Sequence, residues 1–199
     1  MSRLRLRPAA CPLALTLICI MLNRFPDTWQ LALQYQHDVI LNGELWRLFT
    51  GHLTHLNGAH LLMNLTGLWL IWLLFYPHEN ARTLCLYRLP VLLIGTSLAL
   101  LLLSPEVAWY RGLSGVLHGL LALALLHHCR AQPLTGCLLL ALFAIKIAWE
   151  QTGGPVAGSE AWIAGRVIVD SHLYGTIWGS LIWLLERSHH HFNNREVVG

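Results

Sequence analysis

The stretch Arg111-Gly112-Leu113-Ser114-Gly115-Val116-Leu117-His118-Gly119 decides how the rest of the chain is read. It sets a hydroxyl nucleophile candidate, Ser114, at the mouth of a hydrophobic helix and brackets it with small residues. Glycines there let backbone or substrate approach closely, and Gly115 leaves the amides around Ser114 open as oxyanion donors. Small residues in membrane helices also serve helix packing, so the motif needs support from elsewhere in the chain.

Composition identifies the solvent. Hydrophobic residues make up 55% of the 199, charged residues only 12%, and there are nine tryptophans. That is the balance of an integral membrane protein facing lipid. The net charge of +3, with no basic run beyond the N-terminus, points away from nucleic acid as a partner. The length suits one compact helical bundle, so residues 1–199 are read as a single membrane domain.

Outward from Ser114, apolar segments fall at about 9–22, 60–76, 86–103, 114–128, 134–149 and 171–185, which makes an all-α bundle of six transmembrane helices. Pro77-His78-Glu79-Asn80, Ser104-Pro105-Glu106, Gln132-Pro133 and Thr152-Gly153-Gly154-Pro155 mark turns between them. The first run follows Arg3, Arg5 and Arg7, as a signal peptide would. No small-residue cleavage site follows it, however, and it is kept as a span. Residues 23–59 read as a long polar and aromatic loop carrying Trp29, Tyr35, Trp46 and Arg47.

Arginines orient the bundle. With both termini cytoplasmic, the inner segments hold Arg3, Arg5, Arg7, Arg82, Arg88, Arg130, Arg187 and Arg195, against Arg24, Arg47, Arg111 and Arg166 outside. Lys146, near the outer end of the fifth span, is read as snorkelling toward the interface. Cys11, Cys19, Cys85, Cys129 and Cys137 lie in spans or cytoplasmic turns and are read as packing residues, neither disulfide-bonded nor zinc-binding.

This topology brings polar residues of three spans to one depth. Spans two, four and six all run inward, and they open on His60 and Asn64, on Ser114 and His118, and on His172. About 14 residues after Ser114 cover about 21 Å of a core about 30 Å thick, which sinks the serine below the outer surface. Polar groups at that depth need pairing or water and are functional candidates. His172 suits a general base toward Ser114. Asn64 lies one turn beyond His60, and both are placed to hydrogen-bond a developing oxyanion beside the Ser114 amide. Asp170, two residues before His172, is off its helical face, so the sequence specifies a Ser-His dyad without an aspartate.

Gly112-Leu113-Ser114-Gly115, His60-x-x-x-Asn64, Trp46-Arg47 upstream, and His172-x-x-Gly175-x-x-x-Gly179 together resemble a rhomboid intramembrane serine protease. The resemblance implies Ser114 as nucleophile, His172 as base, and His60 and Asn64 as oxyanion stabilisers. It implies Gly175 and Gly179 as a close-packing face toward span four, and Trp46-Arg47 as part of a membrane-surface loop. No cofactor or metal is implied. Where many rhomboids carry a tyrosine four residues after the serine, this chain has His118. The Arg111–Gly119 stretch and the compact length look like the rhombosortase branch, which is bacterial and associated with proteins ending in Gly-Gly-containing membrane anchors. The implied partners are the lipid bilayer and protein substrates with a C-terminal transmembrane helix. The implied location is the bacterial inner membrane, with the site opening outward. Both water and an amine remain open as acceptors of the acyl group.

Two rival readings carry less. Twelve histidines, with His52 and His55 on one side and His127, His128 and His189 to His191 on the other, raise a metal carrier, but no span was read as holding the carboxylates such a path uses. A catalytically dead relative that only binds membrane helices conflicts with the presence of both dyad residues.

Overall fold

A computed structural model describes residues 9–196, with side chains through Ser188. Arg3, Arg5 and Arg7 lie outside the described residues, as do the side chains of His189 to His191 and Arg195. Each apolar segment falls on a helix: α1 (Ala10–Leu22), α5 (Gly58–Phe75), α6 (Ala81–Leu103), α7 (Ser114–Ala131), α8 (Pro133–Gly153) and α10 (Val169–Glu196). Of these, α5, α6 and α8 are long and apolar enough to cross a membrane. Their outer surfaces are correspondingly apolar, with Leu74, Leu102 and Leu134 well exposed, as befits helices solvated by lipid tails.

Local chemistry sets the helix ends. Asn57 caps α5 by accepting from the His60 amide at 2.8 Å, and Pro133 opens α8 where its missing N–H has no intrahelical role. In α6, Pro90 has no N–H to give the Leu86 carbonyl, and the turn before it widens into a π-helical one over Leu84–Arg88.

The long loop before α5 is more ordered than its composition suggested. It folds into α2 (Asp27–Leu33), α3 (His37–Leu41) and α4 (Arg47–Thr50). A two-residue strand, β1 (Tyr35–Gln36), pairs antiparallel with β2 (Trp109–Tyr110), Tyr35 opposite Tyr110. This small ladder pins the loop to the segment leading into Ser114. Arg47 reinforces it by donating from Nη1 to the Leu31 and Gln34 carbonyls (2.7 and 2.9 Å) and from Nε to Glu44 (2.7 Å).

The centre of the bundle is the crossing of α7 and α10. A Cβ on Gly175 would run into the Gly115 carbonyl oxygen, and one on Gly179 into that of Gly119. The two backbones are therefore in direct contact, a separation that only residues without side chains permit. Around this seam Leu92, Leu113, Val116, Leu120 and Leu123 form the buried core.

The cysteine reading needs correction. Cys11 is bonded to Cys85 and Cys129 to Cys137, with Cα separations of 5.7 and 4.9 Å, and only Cys19 is free. The first pair became visible only when the bundle set the start of α1 against the start of α6. The second bridges the turn at Gln132, where α7 ends and α8 begins.

At the end of the bundle remote from Ser114, Arg88 is buried between two carboxylates. It donates to Glu79 at 2.7 Å and to both oxygens of Glu186 at 2.9 and 3.0 Å. Tyr76 lies beneath the guanidinium and donates to the Leu120 carbonyl at 2.8 Å. This cluster ties α6 to α10 and to the α5–α6 turn.

Candidate active site

Ser114 is the first residue of α7, where a backbone N–H has no acceptor within its own helix. Its hydroxyl lies 3.1 Å from Nε2 of His172, one turn into α10. The glycine seam holds the two helices together at this level, since Gly115 and Gly175 directly follow the serine and the histidine turn. A larger residue at Gly115 would also meet the Ser171 carbonyl at 2.8 Å.

On the opposite side of Ser114 stand His60 and Asn64. Gly112, at φ +120°, lets both come close: a Cβ there would lie 2.6 Å from the His60 ring and 3.3 Å from Asn64 Nδ2. His60 Nδ1 accepts from the Leu56 amide at 3.4 Å, which leaves the proton on Nε2, the nitrogen facing Gly112. Asn64 Nδ2 is buried without a hydrogen-bond partner. An unpartnered buried donor beside a nucleophile is suited to a charge that forms only during reaction.

A cavity of about 430 Å³ opens onto these groups. It lies between α5 and α8 beneath the loop that carries α9 (Ser159–Ile163), and its walls are mainly apolar, with Met63, Gly67, Leu117 and Ile163 among them. Asn57 Nδ2, reaching the Trp162 carbonyl at 3.2 Å, tethers that loop to α5.

His172 Nδ1 faces a carboxylate that the sequence reading did not place there. It donates to Glu150 Oε2 at 3.0 Å, and Lys146 Nζ donates to the same oxygen at 2.7 Å. Lys146 also donates to His118 Nε2, and His118 Nδ1 donates to the Ser114 carbonyl at 2.7 Å. The His118 ring stacks on His172 with centroids 4.0 Å apart, in the place the tyrosine of many rhomboids was expected to fill. With Nδ1 donating and Nε2 accepting in both rings, each of the four imidazole nitrogens has a partner.

Sequence reading missed Glu150 because it ended the fifth span at 149, whereas α8 runs on to Gly153. That one turn moves the carboxylate from a loop into the bundle. It also reverses the reading of Lys146, which turns inward rather than snorkelling. The available signal was Lys146-x-x-x-Glu150, an ion pair at helical spacing inside an apolar run. The statement that no span holds a carboxylate falls with it. His118, Glu150 and His172 place three ligand-type atoms within 4.8 Å of one another, but the Lys146 ammonium already bonds two of these residues and acts as the cation among them.

Other candidates separate cleanly. Trp46 is exposed and reaches the Ala32 carbonyl at 3.4 Å, and Arg47 is buried in the loop; neither lines the cavity. Asp170 lines a separate pocket with Trp109 and Arg166. His52, outside the long helices, is wholly buried, donating to the Leu93 carbonyl at 2.9 Å and lying 2.8 Å from Ser97 Oγ. Burial holds its pKa down at about 4.

The family model for the Rhomboid domain matches residues 42–188, which run from the loop before α4 into α10 and include Ser114, His172, His60, Asn64, His118, Lys146 and Glu150. No curated protein matches the chain in sequence.

Proposed function

The chain belongs to the rhomboid family, and from that premise we propose that it is an intramembrane serine endopeptidase with Ser114 as nucleophile and His172 as general base. As Ser114 Oγ attacks the scissile carbonyl carbon, its proton passes to His172 Nε2. The carbonyl oxygen takes up the negative charge between His60 Nε2, Asn64 Nδ2 and the Ser114 amide, with the positive end of α7 behind it. His172 Nε2 then protonates the departing amine, the C–N bond breaks, and an ester to Ser114 remains. Water resolves this ester by the same route in reverse, leaving its proton on His172 until the serine leaves. The observation that carries the reading is the 3.1 Å approach of Ser114 Oγ to His172 Nε2 at the head of an apolar cavity lined by Asn64.

In this reading α1, α5, α6, α7, α8 and α10 all span the bacterial inner membrane, with both termini cytoplasmic and residues 1–199 forming one domain. The cavity then opens toward the outer face and sideways between α5 and α8. A peptide bond in an intact helix is shielded by its own hydrogen bonds, so the site takes a chain only where the substrate helix unwinds. Two adjacent glycines weaken a helix by roughly 1 kcal/mol each relative to alanine and present no Cβ near Ser114. The proposed substrate is therefore the C-terminal single-span anchor of an exported protein, cut at or beside a Gly-Gly pair near its outer end, as in the rhombosortase branch.

The test is an anchored reporter whose Gly-Gly pair is replaced by Leu-Leu. Release should require Ser114 and fall sharply with Leu-Leu. Undiminished Ser114-dependent release would assign the chain to rhomboid proteases of other single-span substrates, and release unaffected by Ser114→Ala would remove the protease reading itself.

A further inference from the structure

We propose that Glu150 is a positioning residue for His172, extending the serine-histidine pair into a Ser114-His172-Glu150 relay, and that Lys146 and His118 hold the Glu150 carboxylate in place. The inference rests on the reading of Ser114 and His172 given above.

Glu150 is 3% exposed, and a carboxylate so buried is strongly disfavoured unless paired and hydrogen-bonded. Lys146, the one lysine in the chain, supplies the pairing charge from the preceding turn of the same helix. The two partners share a single oxygen, Oε2, so the ammonium and the His172 ring fix the carboxylate from different directions. Donation from Nδ1 to that oxygen keeps the His172 proton away from Nε2, the atom that must accept from Ser114. It also places a negative charge against the imidazolium that forms when the serine proton arrives. His118 closes the loop from the other side. Its Nε2 accepts from Lys146, its Nδ1 holds the Ser114 carbonyl, and its ring lies flat on His172. Glu150, Lys146 and His118 thus together set the rotamer of the base, its tautomer and its charge balance.

A purely structural Lys146–Glu150 pair would be equally buried, and a double-variant cycle separates the two roles. Full-length protein in proteoliposomes is assayed on the Gly-Gly anchored reporter for kcat and KM, with thermal unfolding and fluorophosphonate labelling of Ser114 alongside. Glu150→Gln and Lys146→Met each strand one buried partner, whereas the double variant removes both charges. Glu150→Gln should lower kcat and the labelling rate by about 10²-fold or more, with KM changed less than about threefold, in line with losses seen when a base loses its orienting carboxylate. The double variant should regain the unfolding temperature of the unmodified protein and keep the low kcat. A double variant within about threefold of the original kcat would overturn the proposal and leave a structural ion pair. An unmodified protein that neither labels at Ser114 nor cleaves would instead remove the protease reading beneath it.

Discussion

The two sides of the site are built differently. On one side α7 and α10 meet backbone to backbone through Gly115, Gly119, Gly175 and Gly179. On the other side α8 buries only Gly136, Phe143, Ile147 and Glu150 of its 21 residues, and the cavity separates it from α5. The tight seam fixes the distance between Ser114 and His172, where an error of about 1 Å is costly to catalysis. The loose flank borders the cavity and carries Lys146 and Glu150, so the carboxylate partner of His172 sits on a helix that buries few of its own side chains. Access and orientation thereby share an element, while nucleophile and base do not depend on it for their spacing.

The strongest way to break this division is chemical. Ser114→Ala and His172→Ala should each lower cleavage by about 10⁴-fold or more while leaving a folded, membrane-inserted protein, because they remove the reacting groups and little packing. Reporter release undiminished by Ser114→Ala would refute the assignment. The oxyanion side is weaker individually: Asn64→Ala and His60→Ala should each reduce kcat by about 10²-fold with little change in KM. A loss confined to KM would turn them into substrate-positioning groups.

Packing substitutions sharpen the contrast between the seams. Gly179→Ala places a Cβ against a backbone carbonyl and should destabilise by about 1–3 kcal/mol, whereas Leu142→Ala on the outward face of α8 should change stability by about 0.5 kcal/mol or less. Equal shifts in unfolding temperature would mean that both flanks are equally restrained. A further contrast lies in acid sensitivity from His52. Its folded pKa of about 4 lies below the ordinary value of about 6.5, so the folded state binds fewer protons between the two. Its contribution to stability is complete above about pH 6.5 and is lost as pH falls toward 4. The drop in unfolding temperature from pH 7.5 to 4.5 should be smaller in His52→Gln; an unchanged drop would assign the sensitivity to other groups.

By itself the sequence determined the helical membrane architecture, because lipid solvation demands long apolar helices and leaves a strong compositional trace. It also put Ser114, His172, His60 and Asn64 near the starts of alternate segments, which run in the same direction and whose starts the structure gathers around one cavity. The tertiary structure alone decided which side chains meet across helices. Glu150 at His172, His118 stacked on that ring, Cys11 against Cys85 and Tyr35 paired with Tyr110 are contacts between segments remote in the chain or set by a single turn of helix length. Hydrophobic periodicity locates a helix to within about a turn, and one turn is the distance between a carboxylate left in a loop and one that meets His172.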